Sequence, residues 1–442
     1  MSAEDKTLYH YCRPLLSLMR LGGLFYLPEK LQMSARVLRE ELVEDDYPLQ
    51  RKHSRRYIFF KCWCWFAFAC TVAYLGKFLW NFQSLLRLMG NPINAKNLTE
   101  FVFLLTFFNW FVQFTSWHFL MIRACKNKLF IKFFTHWEIL RFNCADKNCN
   151  SFENYFKPRR NRLMFLTVLL VLTNIQAIWT PVLVDNGTFD AQRFVIYAGF
   201  QGYWHVVATG VMLIGHFFAS FVYITPVMLL ALLAYALYGE FRHLTRNMAK
   251  NINEDGELVV QSVEWYRQKH ERLCTLVSLG DDIFSTIVLL AVFGSVIELF
   301  MLMFVVVDYS AKGKFTVITA VNELFWFLFH VTQLVVVIGM GIKVNAAAHS
   351  PLDILYKLDN NKLRPGEVHH LHTFLSKLNG NQIGFTASRL FTIDVSAVLS
   401  IVGMYITYQL LLFQLQMDLT SADEAATTNS GNTTTNITSG NL

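Results

Sequence analysis

Apolar residues gather into seven long runs along the chain, near Ile58 to Trp80, Phe101 to Ile122, Leu163 to Val184, Val206 to Tyr238, Ile283 to Val307, Val317 to Ile342 and Phe391 to Leu415. Each reaches the roughly 20 residues that a helix needs to cross the hydrocarbon of a bilayer. Backbone polar groups in lipid must be satisfied within the segment, so the pattern predicts an all-α membrane protein of seven transmembrane helices. An earlier stretch, Leu15 to Leu31, is broken by Arg20 and Pro28 and lacks a small-residue cleavage site. It predicts an interfacial or capping helix, neither a span nor a signal peptide. Two further patterns have helical spacing without spanning length. Val259, Val263, Tyr266, Leu273, Leu276 and Val277 predict a cytosolic extension of the fifth span. After Pro365 and Gly366, the positions Val368, Leu371, Phe374, Leu375 and Leu378 form a stripe ending at Gly380, which predicts an anchor helix. Such a stripe needs a partner among the other cytosolic helices, of this subunit or of its copies.

The last run has a finer pattern. Ser396, Ser400, Gly403, Thr407, Leu411 and Gln414 fall three or four positions apart and share one face, while Val398, Leu399, Ile401, Val402, Ile406, Leu412 and Phe413 cover the others. Acyl chains cannot satisfy hydroxyls and amides, so the small, polar stripe is expected to face protein or water. Two uses fit it: close packing of one helix on another, or the lining of a water-filled pore.

Charge orients the spans. Basic residues crowd the N-terminal segment (Arg51, Lys52, Arg55, Arg56) and the loop read from Arg123 to Arg162, including Lys157, Arg159 and Arg160. The opposite side carries only Arg87, Lys96, Arg193, Lys312 and Lys314. By the positive-inside rule the N-terminus is cytoplasmic, and seven spans put the C-terminus outside. The N-x-S/T acceptors at Asn97, Asn186, Asn432 and Asn436 all fall on that outer side. The expected organisation is a cytoplasmic segment with an interfacial helix (1–56), a six-helix bundle holding a ligand pocket (57–342), a cytosolic anchor (343–390), the seventh helix (391–416) and a glycosylated outer tail (417–442). With 54% hydrophobic and 16% charged residues, the chain is not a soluble protein. Its formal net charge of +7 follows from orientation and attraction to anionic lipids of the plasma membrane's inner leaflet. No basic, aromatic-interleaved groove suggests nucleic acid.

Polar groups inside spans are costly and mark function. They are Asn109 and Gln113 in the second span, Asn174 and Gln176 in the third, Tyr203, His205 and His216 toward the fourth, Glu298 in the fifth, and Asn322 and Glu323 in the sixth. Trp110, Trp117, Trp179, Trp204 and Trp326 accompany them. Rings supply area and amides fix orientation, which suits a small polar ligand. The candidate site is Asn109, Gln113, Trp179, Glu298, Asn322 and Trp326. An aromatic belt with interhelical hydrogen bonds would use the same residue types. No Gly-rich phosphate loop, H-E-x-x-H or G-x-S-x-G pattern points to an enzyme, and no cofactor is expected. His369 and His372 share a helix face without a third ligand, and Cys144 and Cys149 are too widely spaced for a zinc knuckle, so no metal is expected. None of the eight cysteines is placed for an extracellular disulfide. No internal repeat suggests a transporter.

At the last helix stand Thr407 and Tyr408, the five residues QLLLF, then Gln414 and Leu415, preceded by GFTASRLFTIDVSAVLSIVG from Gly384 to Gly403. This resembles the signature of the insect gustatory receptor family, Thr-Tyr, five mostly hydrophobic residues and Gln-Phe. Gln409 inside the five and Leu415 in place of Phe depart from it. Length, seven spans, inverted topology and the cytosolic lead into the last helix extend the resemblance to most of the chain. It implies a homotetrameric channel, or one shared with related receptor subunits, gated by a small-molecule ligand bound in the outer bundle. The last helices would surround one cation pore, with Ser400 and Thr407 on its wall and Gln414 and Leu415 at its gate. A G-protein-coupled receptor would have its N-terminus outside, and photoreceptor-like relatives would share the fold without a tastant.

Overall fold

The structure is a computed structural model that describes residues 7–26, 55–89, 95–143, 149–183, 203–253, 258, 261–311, 317–380 and 382–435. Helices α1 (Leu8–Leu21), α2 (Arg55–Met89), α3 (Ala95–Lys126), α4 (Leu129–Asn143), α5 (Cys149–Leu183), α6 (Tyr203–Lys250), α7 (Val263–Ala311) and α8 (Val317–His349) come first. A short turn, α9 (Leu352–Leu355), then leads to α10 (Pro365–Gly380). A hairpin of β1 (Thr386–Ala387) and β2 (Phe391–Thr392) precedes α11 (Val395–Thr435). The seven apolar runs fall on α2, α3, α5, α6, α7, α8 and α11, except that the last begins in β2 at Phe391 and Val184 lies outside the described residues. By length and composition alone, four described stretches would cross a bilayer: Arg55–Trp80, Thr209–Lys250, Val263–Val307 and Ala320–Leu355. The apolar part of α11, Val395–Leu411, is shorter, and α3 and α5 are interrupted by the amides of Asn109, Gln113, Asn174 and Gln176.

α6 is the axis of the bundle. From Phe221 to Leu237 every residue is buried, because α2, α3, α5, α7 and α8 all pack around it. A helix apolar on all sides needs such a surround.

Three elements differ from expectation. The loop read between Arg123 and Arg162 contains α4, whose Phe130, Phe133, Phe134, Trp137 and Leu140 are buried at helical spacing as it packs on α7. α1 begins seven residues before the predicted stretch and caps the bundle. Its Leu8, Tyr11, Cys12, Leu15, Leu16 and Met19 are buried as it packs on α4, α5 and α6. Arg20, which interrupted the apolar pattern, stacks over Phe25 and Phe60 and donates to the Tyr9 hydroxyl at 2.9 Å. The start of α1 is pinned where the Leu8 N–H donates to Glu138 Oε1 at 2.8 Å. Burial raises that carboxyl's pKa, and the N–H pulls it partly back. At the other end Gly23 takes φ +73°, and a Cβ there would lie 2.3 Å from that of Ala67. Third, α11 runs beyond Gln416 through the region read as a tail. Ala422 and the Asp423–Ala426 stretch hold good helix formers.

The anchor stripe meets this same subunit. Leu371, Phe374 and Leu378 of α10 are buried against the lower half of α7, where Val263, Tyr266, Leu273, Leu276 and Val277 are also buried. Phe374 lies 5.0 Å from the His270 ring, and Glu264–His370 and Glu271–Lys377 pairs flank the contact. Val259 lies outside the described residues.

Candidate functional site

Asn109 and Gln113 stand one turn apart on α3, facing Gly294 and Glu298, one turn apart on α7. Asn109 Nδ2 donates to Glu298 Oε1 at 2.8 Å and to the Gly294 carbonyl at 3.1 Å. Gly294 leaves the room: a Cβ there would lie 2.1 Å from Gln113 Nε2. Gln113 Oε1 accepts from the Tyr223 hydroxyl of α6 at 3.4 Å. Tyr223 is stacked between Trp117 of α3 and Phe329 of α8, with centroids 5.1 and 5.5 Å away. His330, 6.2 Å from Tyr223, in turn stacks on Trp326. Four helices thus bring Asn109, Gln113, Glu298 and Trp326 into one continuous polar and aromatic cluster.

Asn322 stands apart from that network, its amide donating to the neighbouring Glu323 at 3.2 Å. The side chains of Trp179, Tyr203, Trp204 and His205 lie outside the described ones. Sequence reasoning did not single out Tyr223, Ser295, His330 or Gln333. His330 and Gln333 are polar residues inside an apolar run and carry the same signal as Glu323; Tyr223, within a continuous buried stretch, carries none.

Several buried atoms of this cluster have no hydrogen-bond partner: Gln113 Nε2, the indole N–H groups of Trp110 and Trp117, Ser295 Oγ, His330 Nδ1 and both side-chain atoms of Gln333. Buried polar atoms in native proteins are nearly always paired, so this concentration marks a place where a bound molecule or water completes the set. A second network adjoins it. His216 Nε2 lies 3.2 Å from the Asn174 carbonyl, and Ser220 Oγ donates to Asn174 Oδ1 at 2.7 Å. Trp110 touches both networks, 5.5 Å from His216 and 6.1 Å from Tyr223.

Among the described residues, the main contact of α11 is with α7. Its contact face is Ile401, Tyr405 and Gln409, with Tyr405 4.7 Å from the Phe300 ring and Gln409 only 8% exposed. Gln409, polar within the hydrophobic five, therefore points at the bundle, and both its side-chain polar atoms lack partners. At about 100° per residue, the Ser400–Gly403–Thr407–Leu411 stripe lies on the opposite side of the helix. Those four residues and Gln414 are exposed, Leu411 to 51%, and a Cβ on Gly403 would meet nothing within 4 Å. Packing within the subunit is therefore not what the stripe serves. One expectation is corrected: Ser400 and Thr407 need no outside partner, since their hydroxyls donate to the carbonyls of Ser396 and Gly403 at 3.1 and 2.9 Å. Tyr408 is exposed, 6.4 Å from Phe300. The Leu415 side chain and those of Asn97 and Asn432 lie outside the described ones, as do residues Asn186 and Asn436 entirely. Among the described residues, no group of His, Cys, Asp or Glu is arranged to hold a metal ion.

The architecture is the seven-transmembrane fold of an insect chemoreceptor. It superposes on the insect olfactory receptor OR5 from Machilis hrabei with a TM-score of 0.67, covering 92% of this chain and 98% of that one at 11% identity. The same receptor in complex with eugenol gives 0.64 with equal coverage and 13% identity. At such identities the likeness is one of fold. The profile of the seven-transmembrane chemosensory receptor family matches residues 12–419, and the chain belongs to that family. No curated protein matches the sequence.

Proposed function

We propose that this protein is a gustatory-type chemoreceptor that works as a ligand-gated, non-selective cation channel of the plasma membrane, four subunits surrounding one pore. The observation that carries this reading is the placement of α11. It touches the bundle along Ile401, Tyr405 and Gln409 and turns its polar stripe away from its own subunit. Membrane lipids would cover the flank carrying Leu399, 68% exposed, while the stripe faces its copies across water. Hydroxyls without fixed charge suit a pore of low selectivity. A small polar ligand would sit among Asn109, Gln113, Glu298 and Trp326, beside the unpartnered Gln113 Nε2. Asn322, whose amide donates to its neighbour Glu323, is not part of this set. The eugenol complex of the olfactory receptor of the same fold supports a small-molecule stimulus.

The N-terminus is cytoplasmic in this reading and the acceptors Asn97, Asn186, Asn432 and Asn436 face outward. The test is calcium imaging of cells expressing the full chain, alone and with related subunits, against a ligand panel. An epitope placed after Leu442 is read on the same cells. Ligand-evoked calcium entry that persists with G-protein signalling blocked, and an epitope stained without permeabilisation, are expected. An epitope reached only after permeabilisation would overturn the orientation.

A further inference from the structure

Tyr155 of α5 and Tyr235 of α6 are stacked with centroids 4.9 Å apart and planes 13° apart. Gly239 makes the approach possible, since a Cβ there would lie 3.0 Å from Tyr155 Cε1. The Arg159 guanidinium sits over both rings, 5.3 Å from one centroid and 4.9 Å from the other. Tyr238 continues the row 6.1 Å from Tyr235, and Arg242 lies over it and donates to its hydroxyl at 2.9 Å. Two cations are thus held on a row of three tyrosines. Among the described residues, neither is in an ion pair. The hydroxyls of Tyr155 and Tyr235 are buried beside each other, and among the described residues no third group bonds to either.

The level of this cluster is marked on α5 itself. Lys157, Arg159, Asn161 and Arg162 are exposed, and within one turn the exposed face becomes Phe165, Leu169 and Leu172, exposed to 72, 45 and 60%. An exposed face that changes from basic to apolar in this way suits a hydrocarbon boundary between Arg162 and Phe165, with Arg159 at headgroup depth. On α6 the change occurs alongside, from the buried run ending at Leu237 to Arg242, Arg246 and Lys250.

We propose that Arg159, Tyr155 and Tyr235, with Arg242 beside them, form a binding site for the phosphate group of an anionic phospholipid. A guanidinium held against rings with no carboxylate partner keeps N–H donors for oxygen acceptors, and the phosphate monoester of a lipid such as phosphatidic acid presents them. The Tyr155 hydroxyl beside the guanidinium supplies a further donor to the same phosphate. The site ties α5 to α6 at the membrane surface, remote in the chain from the Glu298 cluster.

The test uses the full-length purified protein in detergent, with thermal unfolding followed on addition of dioleoyl phosphatidic acid, dioleoyl phosphatidylcholine or soluble glycerol 3-phosphate. Phosphatidic acid alone is expected to raise the unfolding temperature by a few degrees. Arg159→Gln should abolish the rise, Tyr155→Phe, which keeps the stack, should reduce it, and Arg162→Gln, in the same basic band, should keep it. An equal rise with phosphatidylcholine or glycerol 3-phosphate would overturn the assignment. So would a full rise in Tyr155→Phe, which serves if Arg159→Gln fails to fold, or equal losses in the Arg159 and Arg162 variants.

Discussion

Asp281 on α7 accepts two hydrogen bonds from Thr386, one from its backbone N–H and one from its hydroxyl, each 2.7 Å long. The pair fastens the base of α11 to the helix that carries Glu298. Around it, the Ser388 N–H donates to the Ser285 carbonyl at 2.9 Å, Arg389 pairs with Asp282, and Ile393 fills the space left by Gly341. Ser388 and Arg389 take φ of 51° and 61°, a left-handed turn that these contacts hold in place. Asp394 then caps α11 by accepting from the Ala397 N–H at 2.8 Å. In the proposed function, this hairpin is the link through which a movement of α7 would reach the last helix.

Asp281→Ala removes both acceptors, a loss of about 2–3 kcal/mol. Whole-cell recordings should show a reduced maximal ligand-evoked current with the half-maximal dose little changed, at matched surface expression. A lower apparent affinity with full maximal current would place Asp281 in ligand binding instead.

In the bundle, Glu298→Gln and Trp326→Ala should each raise the half-maximal ligand dose by about ten- to a hundredfold, the equivalent of roughly 1–3 kcal/mol of lost ligand interaction. Dose–response curves on cells with normal expression decide it. Unchanged curves for both would leave the Asn109–Glu298 bond as an interhelical tie and nothing more.

Midway along α11, at the end of its apolar run, four copies of Leu415 would form an apolar ring that closes the pore by dewetting, with Gln414 just inside. Leu415→Ala should raise current in the absence of ligand and Leu415→Phe should lower it. Equal basal currents in both variants, with normal ligand responses, would put the gate elsewhere on the helix.

The anchor is a packing prediction. Phe374 is fully buried between α10 and α7, so Phe374→Ala should cost about 3–5 kcal/mol and lower the thermal midpoint of the detergent-purified protein. An unshifted midpoint would mean that α10 adds nothing to the stability of the fold.

The seven long helices were legible because each apolar run is long enough to need no tertiary information. α4 was not, since Lys132, His136 and Arg141 punctuate its Phe and Trp stripe, and basic residues on both sides read as an orienting loop. The residue types of the site were legible from the cost of amides and carboxylates in spans. Their pairing was not, because Asn109 and Glu298 meet only when α3 crosses α7, 189 positions along the chain. Tyr223 left no trace in a run where every neighbour is buried. The polar stripe of α11 was legible as a face, but the reason given for its exposure failed. Ser400 and Thr407 are satisfied by their own helix, and the stripe is turned outward because Ile401, Tyr405 and Gln409 on the opposite side make the contact with the bundle.

The central claim, that this stripe lines the conduction path, is tested most directly by cysteine accessibility. Thr407→Cys and, as a lipid-facing control, Ile406→Cys are expressed separately, and a small, charged thiol reagent is applied from outside during ligand-evoked current. The account predicts progressive, irreversible block of current in Thr407→Cys, faster with ligand than without, and none in Ile406→Cys. Block in Ile406→Cys with Thr407→Cys untouched would contradict it.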